Sequence, residues 1–191
     1  MSYIFIDRDG VINKDPGGWT EHSYVTEWKD FHFLPGTLEA LKILKKKGIK
    51  VIVASNQGGV NKGIYTKAQL NKVNKQMLKE IRTNGADIEE VFYCIHKDED
   101  NCNCRKPKPG MLEMAAKKYG IDPKTTYFIG DDKKDVLAAK KIGCKAVLVL
   151  SGKGSLDNAK IWEEKPDYVF KDLLEAVKSL LTQMDTDKKH R

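Results

Sequence analysis

Short apolar runs alternate along the chain with longer stretches whose apolar residues recur at helical spacing. That alternation predicts an α/β domain built on a largely parallel sheet. The candidate strands are Tyr3–Ile6, Lys50–Ala54, Val91–Ile95, Tyr127–Ile129, Ala146–Leu150 and Tyr168–Phe170, and the candidate helices fall near residues 37–47, 66–84, 109–119, 133–142 and 172–183. Several strands read as continuous apolar runs, which fits a three-layer sandwich with helices over both faces of a buried sheet. Polar groups cluster just after the strands: "DRDG" after the first, "SNQGG" after the second, a Cys/His group after the third and "GDDKKD" after the fourth. Ligands of open α/β sheets bind beyond the carboxyl ends of the strands, so these four loops should converge on one site. The longest irregular stretch, roughly residues 13–34, is too short for a separate domain. One domain over residues 1–184 is expected. The segment 185–191, "DTDKKHR", lacks an apolar anchor and reads as a flexible tail.

Composition narrows the function classes. The chain has 191 residues, 40% of them hydrophobic and 32% charged. That suffices for a single core, and no apolar run approaches the roughly 20 residues of a membrane span. The chain enters "YIFID" without a basic region, a long apolar segment and a cleavage site, so no secretory signal is expected and the cytoplasm is the expected compartment. A net charge of +7 favours anions, which include phosphate esters as well as nucleic acids. Much of the lysine lies at helical spacing, as in "LKILKKKG" and "LNKVNKQMLKE", where a solvated face accounts for it. A nucleic-acid partner is not expected, because interleaved aromatics and a basic recognition helix are missing. A monomer that acts on a small molecule is the expectation.

The cysteines are unevenly placed. Cys94, His96, Cys102 and Cys104 have the form C-x-H-x5-C-x-C, a full set of four ligands for tetrahedral Zn²⁺. With no position left open, such a zinc would be structural. Cys144 stands alone before an apolar strand and reads as a small core hydrophobe.

Asp7 and Asp9 sit two apart at a strand end, so a persisting extended backbone would point both side chains to one side. Paired carboxylates can divide labour, one as nucleophile or metal ligand and the other as general acid/base; an ordinary polar turn is the alternative. Asp131, Asp132 and Asp135 follow another strand and enter a helix, where they can serve as helix caps or as hard oxygen ligands for Mg²⁺. Ser55 offers a hydroxyl at a third strand end, Gly58 and Gly59 leave backbone N–H groups open to an anion, and Lys106 adds a fixed positive charge.

In that order, "DRDG", "SNQG", "RKPKPG" and "GDDKKD", the chain resembles the haloacid dehalogenase superfamily of phosphotransferases over nearly its whole length. The resemblance implies a Rossmann-like fold. Asp7 would attack phosphorus to form an aspartyl-phosphate, and Asp9 would protonate the leaving alkoxide and then activate water. Mg²⁺ would be held by the Asp7 carboxylate, the Asp9 backbone carbonyl and Asp131. Ser55, with Asn56, Gln57 and Gly58, would line the phosphate site together with Lys106, which Asp135 would orient and Asp132 support. A general acid must carry its proton near neutral pH, so Asp9 would need neighbours that raise its pKa.

The spacings between Asp7, Ser55 and Lys106 leave no room for a large cap domain. Specificity should therefore come from short loops, around Asp15 and Gly18 and around the Cys/His group with Arg105. Within the superfamily, the zinc loop ending in "CNCRKPKPG" is similar to two capless groups, one acting on a heptose bisphosphate and one on histidinol phosphate. "SNQGGVNKGIYT" and the "AVLVLSGKG…KPDYVFKDLLEAV" ending favour a phosphorylated sugar, whereas the short zinc loop matches the other group and Asp132 stands where some sugar-acting members carry a basic residue. A non-catalytic, zinc-stabilised binding module is the remaining alternative.

Overall fold

The computed structural model describes residues 2–189, with side chains through residue 183. Its core is a six-stranded sheet of β1 (Ser2–Ile6), β2 (Ile49–Asn56), β3 (Glu90–Cys94), β4 (Tyr127–Gly130), β5 (Lys145–Val149) and β6 (Tyr168–Phe170). The strand order is β3-β2-β1-β4-β5-β6, and every pairing is parallel. Connections run outward from β1 to β3, then cross back to β4 on the other side of β1. That reversal opens a crevice at the carboxyl ends of β1 and β4.

Strand alternation divides the core into two apolar layers. Ile4 and Ile6 of β1, Val51 and Val53 of β2 and Ile129 of β4 face one layer, with α1 (Thr37–Lys46), α2 (Lys67–Thr83) and α6 (Leu173–Lys189). Phe5, Ile52, Ala54 and Phe128 face the other, with α3 (Gly110–Tyr119) and α4 (Lys133–Ile142). Continuous apolar strands are the direct result, since each must bury both faces. In α2 the buried positions are Leu70, Val73, Met77 and Ile81, one helical stripe, and Thr66 and Gln69 close its amino end as a capping box. Cys144 packs in the second layer, as a core hydrophobe should.

Differences from the expected elements are local. A short helix α5 (Leu156–Ile161), capped by Ser155, was not anticipated, because six residues carry too little periodicity to show. The stretch 13–34 is more ordered than its sequence suggests: Trp28, Phe31 and Phe33 stack beside the first layer, and Asn13 bridges both Asp9 and Phe33. Helix α6 continues its backbone to Lys189, through much of the stretch read as a tail, while residues 190 and 191 lie outside the described residues. No described helix is long and apolar enough to cross a membrane.

Candidate active site

The four loops named from the sequence do meet at the carboxyl edge. They line a cavity of about 410 Å³ whose walls include Asp7, Asp9, Ser55, Asn56, Gly58, Arg105 and Asp131. A larger cavity of about 560 Å³ opens at the opposite, amino-terminal edge among Tyr3, Leu44, Tyr127 and Leu180, without a cluster of carboxylates. The smaller one holds the chemistry.

Its floor is a buried charge cluster. Lys106, 2% exposed, places Nζ 2.9 Å from Asp7 Oδ1 and 2.8 Å from Asp135 Oδ1, and donates to the Ala54 carbonyl at 2.8 Å. Asn56 fixes the backbone beneath it, accepting from Lys106 N at 3.0 Å and donating to Lys106 O at 2.9 Å. The second oxygen of Asp135 accepts from the backbone N–H of Asp131 and Asp132, both at 3.1 Å. Asp135 therefore orients the lysine and the loop that carries Asp131 at once.

Carboxylate oxygens of Asp7, Asp131 and Asp135 lie within 4.8 Å of one another. Burial pushes Asp7 up to about 6, against the pull of Lys106, and the neighbouring Asp135 adds to the rise. Burial also drives Asp131 well above the usual carboxylate range, reinforced by Asp135 and Asp7. Lys106 itself is raised: burial opposes its charge, but Asp135 and Asp7 more than offset that cost. Lys106, with Lys134 on the cavity wall, faces three buried carboxylates, two of which stay raised despite the lysines, and an oxygen-only donor set of this kind suits a hard divalent cation such as Mg²⁺.

Close packing explains two glycines. A Cβ on Gly10 would stand 2.2 Å from Asp131 Oδ2, and one on Gly152 would stand 2.1 Å from the same atom. Gly152 belongs to the loop after β5, "SGKG", which also contributes Ser151, donating to Gly10 O at 2.7 Å, and the Lys153 N–H, donating to Asp131 Oδ2 at 2.8 Å. Sequence reasoning left this loop out of the site. Its position after a strand at the same edge was the available signal.

Asp9 reaches the cavity differently from the expectation. The extended backbone ends at Ile6, and residues 8–13 wind into a turn in which the Arg8 carbonyl accepts from Ile12 and Asn13. The Asp9 carboxylate is gripped by Arg8, through Nη2 at 2.9 and 3.0 Å and Nε at 3.2 Å, by Asn13 Nδ2 at 2.9 Å and by Gln57 Nε2 at 2.8 Å. Its pKa is lowered, not raised as a resting general acid would require: burial favours the neutral form, but Arg8 and the donors from Asn13 and Gln57 outweigh it.

Three further expectations are corrected. Gln57 is wholly buried and turned toward Asp9, Ser55 and Tyr65, so it does not face the cavity. Gly18 is exposed with open space around it and lies outside the cavity wall, which is formed on that side by Asp15 and Pro16. Asp132 caps α4 and pairs with Lys134 at 3.2 Å; it is Lys134, not Asp132, that lines the cavity. Lys134 is raised: burial opposes its charge, and Asp135, Asp7, Asp132 and Asp131 reverse that effect.

The Cys/His group assembles as its spacing predicts. Cys94 Sγ lies 3.2 Å from Cys104 Sγ and 3.6 Å from Cys102 Sγ, Cys102 and Cys104 are 3.4 Å apart, and His96 Nδ1 lies 3.3 Å from Cys104 Sγ. All four cysteines are free thiols, and the sulfur separations are close to the edges, about 3.8 Å, of a tetrahedron with metal–sulfur bonds of about 2.3 Å. The cluster can hold a metal. Its loop delivers Arg105, whose guanidinium grips Asp98 at 2.6 and 3.2 Å and donates to the His96 carbonyl at 3.4 Å. Gly58 permits this packing, since a Cβ there would stand 2.9 Å from the His96 carbonyl oxygen.

Comparison with known proteins agrees with this geometry. A family model described as HAD-hydrolase-like matches residues 103–176. The D-glycero-beta-D-manno-heptose-1,7-bisphosphate 7-phosphatase of Neisseria meningitidis serogroup A is 36% identical over 177 residues, 92% of each chain. The enzyme of the same name from Pseudomonas putida is 37% identical over 81% of this chain and 85% of its own. Among solved structures, the D,D-heptose 1,7-bisphosphate phosphatase of B. bronchiseptica, complexed with magnesium and phosphate, superposes with a TM-score of 0.87 at 32% identity, covering 96% of this chain and 99% of that one. With both the carboxyl-edge site and the likeness extending over almost the full length, the chain belongs to the heptose 1,7-bisphosphate phosphatase family of haloacid dehalogenase-like hydrolases.

Proposed function

We propose that the protein is a Mg²⁺-dependent phosphomonoester hydrolase that removes the 7-phosphate of D-glycero-β-D-manno-heptose 1,7-bisphosphate through an aspartyl-phosphate on Asp7. The observation that carries the reading is the Asp7–Lys106–Asp135 array beside Asp131 at the β1/β4 crevice. It combines a nucleophile, a fixed cation and a carboxylate set for a divalent metal. The relatives' names supply the substrate.

Asp7 attacks phosphorus as the bond to the sugar oxygen breaks. Asp9, a carboxylate at rest because its pKa is lowered, takes up a proton as the phosphate dianion binds beside it. It gives that proton to the departing electron pair and later accepts one from the water that cleaves the aspartyl-phosphate. Ser55 holds a phosphoryl oxygen, Lys106 supplies fixed positive charge from beneath Asp7, Asn56 fixes the lysine's backbone, and Arg105 and Asp15 form the substrate-facing rim. When bound, Mg²⁺ neutralises charge on the phosphoryl group and the nucleophile; the Asp7 carboxylate, the Asp9 carbonyl and Asp131 would hold it. Cys94, His96, Cys102 and Cys104 would hold a structural Zn²⁺. Free thiols in this arrangement suit the reducing cytoplasm, and a monomer suffices because one chain supplies every group named here. The product, a heptose 1-phosphate, would enter ADP-heptose synthesis for lipopolysaccharide or a related glycan.

Mg²⁺-dependent phosphate release from both anomers of the heptose bisphosphate and from histidinol phosphate tests the reading. Wild type should prefer the β-anomer, and Asp7→Asn should release none. Equal rates in the two proteins would remove Asp7 from the nucleophile's role. A preference for histidinol phosphate would replace the substrate.

A further inference from the structure

Arg8, Gln57 and Tyr65 are buried, and none of them lines the cavity. Arg8 and Gln57 nevertheless bind the one carboxyl group that must exchange a proton with the leaving group, and Tyr65 reaches it through Gln57. Arg8 spans both Asp9 oxygens with the same Nη2, at 2.9 and 3.0 Å, and adds Nε to Oδ1 at 3.2 Å. Gln57 Nε2 takes Oδ2 at 2.8 Å, while the Tyr65 hydroxyl donates to Gln57 Oε1 at 2.6 Å and fixes the amide's orientation. Asp9 keeps a side-chain exposure of 18% toward the cavity, whereas the Arg8 side chain is 1% exposed. A carboxylate so bound cannot rotate, and its orientation is decided by groups the substrate never meets.

Gln57 carries a second connection. The same Nε2 donates to Ser55 Oγ at 2.9 Å. A serine hydroxyl that accepts a hydrogen bond on its oxygen keeps its own proton free to donate elsewhere, here toward the cavity that Ser55 lines. One buried amide thus joins the acid/base carboxylate to a donor for the phosphoryl group.

We propose that Arg8 and the Gln57–Tyr65 pair are positioning residues that aim Asp9 at the leaving-group oxygen. Arg8 and Tyr65 touch no phosphoryl-binding group and act on proton transfer, whereas Gln57 also holds Ser55. The inference rests on Asp9 being the acid/base of the proposed hydrolase. It adds residues outside the cavity that decide how well Asp9 serves.

The dependence on leaving group separates this role from a structural one. A sugar or phenyl ester leaves poorly and needs its oxygen protonated, whereas a p-nitrophenyl ester leaves as a stable anion without help. kcat/KM reports steps through departure of that group, before water attacks. Tyr65→Phe and Arg8→Lys, at saturating Mg²⁺ and with folding checked by circular dichroism, should lower kcat/KM for the heptose ester and for phenyl phosphate by about tenfold to a hundredfold. Their kcat/KM for p-nitrophenyl phosphate should change by less than about threefold, because the acid contributes little there. Tyr65→Phe removes a single hydroxyl, so it keeps the test available if Arg8→Lys fails to fold.

Equal losses on good and poor leaving groups in folded variants would overturn the proposal, as would no loss on either. If wild type rejects the heptose ester yet cleaves both aryl esters, the substrate assignment fails, and the aryl ratio still decides the role of these residues.

Discussion

Two polar clusters sit on neighbouring loops of one sheet edge, and they are built on opposite principles. The cluster of Asp7, Lys106, Asp131 and Asp135 draws its members from after β1, β3 and β4, and each is almost wholly buried and charged. The Cys94, His96, Cys102 and Cys104 cluster comes from one stretch of chain and is partly exposed apart from Cys94. Only the order of strands in the sheet brings the first together, so its geometry is as stiff as the core beneath it. The second is assembled by local spacing and depends on whatever binds the thiols. They meet at Cys104-Arg105-Lys106, where the loop-built cluster hands its position to the fold-built one.

The sharpest way to break that contrast is to remove one member of each. Asp7→Asn should lower kcat by roughly four orders of magnitude or more, as loss of a nucleophile does. Its melting temperature without metal should not fall, because the substitution removes a carboxyl that burial already holds up to about 6. Phosphate release and a thermal melt on the same preparation decide this, and residual activity within tenfold of wild type would be incompatible with it. Cys104→Ser should act the other way, with zinc content by atomic absorption falling well below one per chain. The melting temperature should drop by several degrees and activity should fall with it, since Arg105 and Lys106 follow directly. A variant with unchanged zinc and an unchanged melt would separate the loop from the active site.

The same contrast explains what the sequence disclosed. The C-x-H-x5-C-x-C spacing is a local pattern, and the four side chains meet as that pattern requires. Asp7, Ser55, Lys106 and Asp131 were legible because each follows an apolar strand, and parallel topology carries every strand end to one edge. Contacts between loops were not legible in this way. Gln57 is adjacent to two cavity residues, yet it turns inward because Tyr65, eight residues on, captures its amide oxygen. Arg8, between two functional aspartates, looks like a solvated spacer until the turn at residues 8–13 folds it under Asp9. Lys134 and Lys153 face the cavity through side-chain paths that no spacing rule records.

A smaller effect sharpens the electrostatic half of the comparison. The buried carboxyls Asp7 and Asp131 are both raised, chiefly by burial, so the folded state holds their protons more tightly than the unfolded state does. For such groups the metal-free fold is favoured below the ordinary carboxyl pKa and loses that advantage as pH climbs through the folded values, for Asp7 from 3.8 to about 6. A divalent cation replaces those protons. The gain in melting temperature from saturating Mg²⁺ should therefore be larger by a few degrees at about pH 7.5 than at about pH 5. An equal gain at both values would mean that Mg²⁺ binds away from these carboxyls.

The smallest effect belongs to the rim, where the two clusters touch. Arg105 pairs with Asp98 through two bonds, at 2.6 and 3.2 Å, but the Asp98 side chain is 72% exposed. Exposed ion pairs contribute about 0–1 kcal/mol and are screened by salt, so Asp98→Ala should barely move the melting temperature. Its consequence lies in recognition: without Asp98, Arg105 keeps only its bond to the His96 carbonyl and is freer to engage a phosphate. KM for the heptose bisphosphate should change by about twofold to fivefold, with kcat nearly constant, and the change should shrink in high salt. A large fall in kcat would instead show that Asp98 fixes the loop and, through Arg105, the neighbouring Lys106, which would make the rim part of the stiff cluster.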